Sequence, residues 1–151
     1  MPQYADLYFL QEHRSKATVL AFLDEVMPDR EESAAAYVLE STGETFWGMD
    51  ELLDQLEIDG RSDNAVYWQN RDSGSSVTHA MVFYTTDGAM ILGISMPVQY
   101  SVPLPGEIKN RYARLYQWLE ARAGCVTIEE PPPATVAGFE AFCDGRQYQL
   151  E

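Results

Sequence analysis

The chain has 151 residues, 46% apolar and 23% charged, with 24 acidic against 10 basic side chains and a formal net charge of −14. This is ordinary globular usage at a length that can bury a substantial core in one domain, 1–151, and it excludes a disordered chain, a fibre and a coiled coil. With Lys16 and Lys109 its only lysines, the chain is unsuited to DNA or RNA, whose binding is driven by Lys and Arg displacing phosphate counterions, and equally to anionic lipid.

In chain order, Leu7, Tyr8, Phe9 and Leu10 make an unbroken apolar run, and 6–11 reads as a buried strand. Ser15 stands where a helix N-cap belongs; Val19, Phe22, Leu23, Val26 and Met27 follow at helical spacing, and Pro28 closes a helix over 16–27. Segment 34–41 mixes helix-favouring alanines with Tyr37, Val38 and Leu39 and is read as a second strand. Phe46 and Trp47 lie in a glycine-flanked loop, after which Asp50 can cap a short helix over 50–57, with Leu52, Leu53 and Leu56 inside. Segments 64–70, 78–86 and 89–96 read as strands, the last two joined at Asp87-Gly88 by a type I′ hairpin turn. On 89–96 the residues Met90, Leu92, Ile94 and Met96 share a core face, while Ile91, Gly93 and Ser95 share a less apolar face that is expected to be open.

An uncharged, proline-bearing loop, 97–106, leads into a helix over 107–123. Ile108, Tyr112, Leu115 and Leu119 line one stripe of it, Lys109, Arg111, Arg114 and Arg122 decorate the rest, and Gly124 is placed as its C′ residue. Segment 125–129 reads as a strand, and 138–143 with 146–150 as a hairpin about Asp144-Gly145. Strict βαβ alternation is missing. The expected class is therefore α+β: a mainly antiparallel sheet of about six strands, with two longer helices (16–27 and 107–123) and the short one (50–57) packed on one face.

The charge is uneven. Residues 1–63 hold 15 acids and 4 bases, and the rest hold 9 acids and 6 bases. The acids gather at Asp24, Glu25, Asp29, Glu31 and Glu32, and again at Asp50, Glu51, Asp54, Glu57 and Asp59; one negative patch results if the fold puts both groups on one side. No apolar stretch is long enough for a membrane span, and the N-terminus has no basic region before an apolar run, so no signal peptide is expected. Cys125 and Cys143 are read as reduced thiols of a cytoplasmic protein, since two cysteines do not make a disulfide framework at this size.

Motifs for chemistry are sparse. His13 and His79 are far apart, and no HxH, HExxH or CxxC occurs, so neither a metal nor another cofactor is expected. There is no GxSxG, and Gly74 in DSGSS lacks the GK[ST] ending of a phosphate loop. Cys125, just after a glycine at a strand start, reads as a small hydrophobe. The adjacent pairs Asp24-Glu25, Asp50-Glu51 and Glu129-Glu130 point apart on regular structure, unlike two carboxyls facing across a cleft. No catalytic residue is assigned.

Three readings remain. In the first, the chain is a non-catalytic module that engages a basic protein partner, as an inhibitor or immunity-type protein would, through Trp47, Asp50, Glu51, Asp54 and Tyr100. Tryptophan and tyrosine anchor interfaces, and an acidic rim steers a basic partner; the alternative for Trp47 is core filling under its loop. In the second, a small molecule binds, or an enzyme acts, in a pocket between the sheet and helix 107–123, using His79, Tyr84, Tyr112 or Tyr116 with Arg111 and Arg114 for an anion. His79 can equally be a packed histidine or one on the open sheet face. In the third, the acidic half of one copy meets the arginine-bearing helix of another, and a second copy covers the open hairpin face.

Overall fold

In the computed structural model, residues 3–39, 42–98 and 105–145 are described. The first apolar run forms β1 (Gln3–Gln11). It pairs antiparallel with β7 (Met90–Val98) on one side and β8 (Ala123–Ile128) on the other. Its run is unbroken because both faces are covered: Ala5, Leu7 and Phe9 join one apolar cluster, Tyr8 and Leu10 the other. With β2 (Arg30–Glu32), β5 (Asn64–Asn70) and β6 (His79–Tyr84), these strands make a six-stranded sheet of order β2-β5-β6-β7-β1-β8. Every neighbouring pair is antiparallel. The expected α+β class with a six-stranded antiparallel sheet is what the chain forms.

Three helices lie on the first face. Helix α1 (Lys16–Val26) starts at Ser15, whose Oγ accepts the Thr18 amide at 3.2 Å, and it buries Val19, Phe22, Leu23 and Val26. Helix α2 (Met49–Ile58) buries Met49, Leu52, Leu53 and Leu56. Its N-cap is Gly48, which has no side chain to bond, and not Asp50. Asp50 and Glu51 instead occupy the first turn, where the helix dipole favours carboxylates. Helix α3 (Gly106–Leu119) buries Ile108, Leu115 and Leu119, and Tyr112 stacks on Phe9 of β1 with ring centroids 5.4 Å apart.

Several elements depart from the sequence reading. Helix α3 stops one turn early: Glu120 takes the left-handed conformation (φ 51°) that closes it. Gly124 is therefore inside β8 and not a helix cap. A Cβ there would meet the Tyr112 hydroxyl and the Tyr8 carbonyl at 2.8 Å, so a glycine lets α3 and β1 close on β8. Segment 138–143, read as a strand, belongs to α4 (Val136–Asp144). Thr135 caps it by accepting the Gly138 amide at 3.0 Å, and Phe139 and Cys143, one turn apart, bury one stripe. An apolar run this short does not reveal its period from sequence. The partner strand expected at 146–150 lies outside the described residues.

The strand read over 34–41 shrinks to β3 (Tyr37–Leu39), which pairs with β4 (Glu44–Phe46) as a separate two-stranded sheet. The sheet-edge strand β2, three charged residues, carries no apolar signal. At Asp87-Gly88 only the glycine has positive φ (90°), so the turn is not type I′. Gly88 N donates to Thr85 O at 3.4 Å and Thr85 N to Ala89 O at 3.0 Å, a three-residue connection with glycine at the position that needs positive φ. This tip is tied to the start of α4: Thr86 N donates to Ala134 O at 2.8 Å, and Val136 N to Asp87 Oδ2 at 3.0 Å.

Helix α4 covers half of the second sheet face. Phe139 and Cys143 pack with Tyr8, Leu10, Met81, Ile91 and Cys125. The chain thus supplies its own cover over the part of the face nearest the hairpin tip, where a second copy was one expectation. Cys125 and Cys143 share this cluster without a disulfide between them. No described helix is long and apolar enough to cross a membrane.

Candidate functional site

Two regions gather polar chemistry, one on each face of the sheet. The first lies where α1 and α2 meet the β2 edge. Leu20, Leu23, Met49, Leu53 and Trp68 line a groove of about 340 Å³ together with Arg30, Glu31, Glu32, Asp50 and Arg71. Members of both acidic groups, Glu31 and Glu32 from one and Asp50 from the other, therefore face one groove of mixed apolar and charged lining.

Part of this charge is compensated. Lys16 Nζ sits 2.8 Å from Asp50 and 2.9 Å from Asp54, while its backbone amide donates to Glu57 Oε1 at 2.9 Å. Hydrogen bonds donated to Asp50 and Asp54, and then their charge, hold the Lys16 ammonium above its ordinary pKa. Arg30 pairs with Asp24 at 2.8 Å, and Arg71 with Glu31 at 3.5 Å. Tyr37 donates to Glu32 Oε1 at 3.2 Å, and burial followed by the Glu32 charge pushes its hydroxyl up to about 12. Glu51 is exposed on the outer side of α2.

Just before α2, Phe46 and Trp47 divide the two roles that sequence left open. Phe46 turns into the core, whereas Trp47 is 80% exposed, one residue before the Gly48 cap of α2. Trp47 thus stands just before α2, with Asp50, Glu51 and Asp54 on the helix. Tyr100, grouped with them from sequence, lies outside the described residues.

The residues of the pocket expected between the sheet and α3 do not converge. On β6, His79, Met81 and Phe83 point to the second face, whereas Tyr84 is buried in the first-face core. Tyr112 and Tyr116 pack against that same first-face core, across the sheet from His79. Arg114 is exposed and Arg111 half-buried on α3. A one-residue step along a strand reverses the side of the sheet, which is why His79 and Tyr84, five apart, cannot share a site. His13 is exposed in the β1–α1 connection.

The second region is the half of the second face that α4 leaves open. Register aligns Gln69, His79, Ser95, Asp6 and Thr127 in one row across five strands. The next row toward α4 holds Tyr67, Met81, Gly93, Tyr8 and Cys125. Over these rows lies a second pocket of about 340 Å³, walled by Tyr4, Tyr8, Tyr67 and Phe83, with Asp6, His79, Ser95 and Glu129 as its polar groups. The rings meet edge to face: Tyr8 to Phe83 at 5.8 Å, Tyr67 to Phe83 at 5.9 Å, and Tyr4 to His79 at 6.2 Å.

Asp6 is only 8% exposed, and Ser95 Oγ donates to its Oδ1 at 2.6 Å. Burial raises the Asp6 pKa above the ordinary carboxylate range, opposed by the Ser95 hydrogen bond and reinforced by the charge of Glu129. Burial, then the Asp6 charge, also raises the Tyr67 hydroxyl. Ser95 stands between Asp6 and His79 in the row, and His79 Nδ1 lies 3.1 Å from Thr78 Oγ1. A nucleophilic triad needs the histidine between serine and carboxylate, so this order does not build one. Among the described residues no group of three or more His, Cys, Asp or Glu side chains is placed to hold a metal ion. The row was missed in sequence because its members come from five separate strands; the alternation on β7 that set Ser95 apart was its one visible trace.

Comparison of the chain with protein-family models, with curated proteins and with solved structures gives no match in any of the three.

Proposed function

We propose that the chain is a non-catalytic protein-binding module that engages a basic surface of a partner protein through the acidic end formed by Trp47, α2 and the neighbouring groove. The observation that carries this reading is the exposure of Trp47 beside the acidic first turn of α2. A large ring held in water in the free protein gains most from a partner that covers it, and tryptophan is the residue most enriched at binding hot spots. On the helix that follows it, Glu51 and the exposed carboxylates of Asp50 and Asp54, which share one lysine between them, steer cationic side chains of that partner. The groove between α1, α2 and β2 shares Asp50 with this surface and adds Glu31 and Glu32, set against Arg30 and Arg71. Masking of a basic active site, as an inhibitor or immunity-type protein does, is one concrete form of this role.

The test compares three forms as bait in lysate of the producing cell at low and raised salt: the wild type, Trp47→Ala, and a combined Asp50→Asn, Glu51→Gln and Asp54→Asn variant. The expected result is a basic protein retained by the wild type, weakened by salt, and lost with both variants. Retention unchanged by both variants, or no basic protein on the wild type at low salt, overturns the reading.

A further inference from the structure

The open half of the second sheet face combines three features that point to one ligand chemistry. Its walls are aromatic, its polar groups are acidic, and no lysine or arginine lines it. We propose that this pocket is a binding site for a small organic ammonium ion, with Asp6 as the counter-charge and Tyr4, Tyr67 and Phe83 as the ring faces around the cation.

Asp6 is the central observation. A carboxylate removed from water is stable only when paired or well hydrogen-bonded. Asp6 is more than nine-tenths buried and its hydrogen-bond partners are the neutral hydroxyls of Ser95 and Tyr8, yet no cation pairs with it among the described residues. Burial accordingly favours its protonated form. An ammonium group entering the pocket restores the missing charge partner and brings Asp6 back to carboxylate. Glu129, where the chain turns out of β8 at a left-handed φ of 55°, adds a second negative charge at the rim.

The rings select the kind of cation. The face of a tyrosine or phenylalanine attracts a cation through its quadrupole, and more strongly when the cation is poorly hydrated. A bare divalent metal instead requires six or more oxygen ligands, or a retained water shell, against which aromatic walls offer nothing. The pocket volume, about 340 Å³, is in the range that holds a small molecule. Gly93 at the base keeps the floor open to Tyr8, since a Cβ there would lie 2.9 Å from the Tyr8 ring. The site is separate from the Trp47 surface: α1 and α2 lie on the other face of the sheet, so either proposal stands or fails without the other.

The experiment is calorimetric titration of the intact chain with choline chloride and with butylammonium chloride. Sodium chloride at matched ionic strength and n-pentanol serve as the charge and shape controls, and amide NMR shifts map the contact. Saturable binding of both ammonium probes is expected, with shifts on β1, β6 and β7 around Asp6, His79 and Ser95, and none with n-pentanol. Asp6→Asn keeps the size and the Ser95 acceptor but removes the charge, and it should weaken binding by about tenfold or more. Tyr67→Ala, at a 43% exposed wall position, should weaken it with the fold unchanged, and it decides the matter if Asp6→Asn does not fold. No saturable binding, equal binding of n-pentanol, or full affinity in both variants overturns the proposal.

Discussion

The Arg14 guanidinium lies over the ring of Tyr84, its central carbon 5.0 Å from the ring centroid, and its two terminal nitrogens donate to four backbone carbonyls. Nη1 reaches Leu56 O at 2.6 Å and Asp59 O at 3.0 Å, while Nη2 reaches Ser62 O at 2.8 Å and Thr85 O at 2.6 Å. One side chain, 7% exposed, thus satisfies the carbonyls at the C-terminal end of α2, the turn after it and the end of β6. Burial works to lower the Arg14 pKa, and the Asp59 charge opposes it. Arg14→Met should therefore destabilise the protein by about 3 kcal/mol, because it leaves buried acceptors without donors. Arg14→Lys should recover only part of that, since an ammonium lacks the planar fork. Urea unfolding of the three proteins measures both, and a loss no larger than that of a surface substitution would refute this role.

Asp6 should make stability fall as pH rises. Its folded pKa is raised above the ordinary value of 3.8. Below that value the proton is bound in both folded and unfolded states and the contribution is fully present; as pH climbs through the raised folded pKa, the contribution is lost. Asp6→Asn has no such proton. The stability difference between variant and wild type should thus shift in favour of the variant over this acid window and then level off. Thermal melts of both proteins in a series of buffers check the sign; a difference independent of pH would show that Asp6 titrates normally.

The same proton sets the pH profile of ammonium binding. Affinity should weaken toward acid as Asp6, whose carboxyl is held above the ordinary range by burial, takes up its proton. Tyr8 and Tyr67, raised above their ordinary values, stay neutral throughout. Butylammonium titrations from neutral to acid pH read this directly, and affinity unchanged or rising toward acid would contradict it.

Gly124→Ala should cost about 1–3 kcal/mol, as insertions into a packed interior do. The added methyl meets the Tyr112 hydroxyl, the Tyr8 carbonyl and the Tyr116 ring, two of them backbone or ring atoms with little freedom to give way. Were Gly124 a helix cap in open solvent, the change would be far milder. Chemical denaturation distinguishes the two.

Phe46 and Trp47 should behave in opposite ways. Phe46→Ala removes a buried ring and should destabilise by about 3 kcal/mol or more. Trp47→Ala should change stability by less than about 0.5 kcal/mol, because the ring touches mostly water. A large stability loss at Trp47 would mean that the ring is packed and would remove the main support for the binding surface.

Patterns confined to one segment were legible in the sequence. The Ser15 cap and helical spacing located α1, alternation set out the two faces of β7, and the Asp87-Gly88 step joined β6 to β7 although its turn type differed. Errors fell where a neighbour outweighs local preference. Segment 136–144 could bury Phe139 and Cys143 as strand or helix, and its helix rests on the Thr135 cap, the Asp87 tether and the second sheet face. Strand β2 exists because its backbone pairs with β5, which no side chain of Arg30, Glu31 or Glu32 announces.

The candidate sites divide along the same line. Composition and spacing, which depend on the residues alone, determined that the chain is acidic, α+β and mainly antiparallel, and that Trp47 neighbours the acids of α2. Tertiary structure decided which way each ring faces, because burial of Phe46 and exposure of Trp47 depend on what packs above them. It also decided that His79 and Tyr84 lie on opposite sides of the sheet and that Asp6, Ser95 and His79 lie in one row. Strand register brings those three together across 89 residues of sequence, and register is set by the whole sheet.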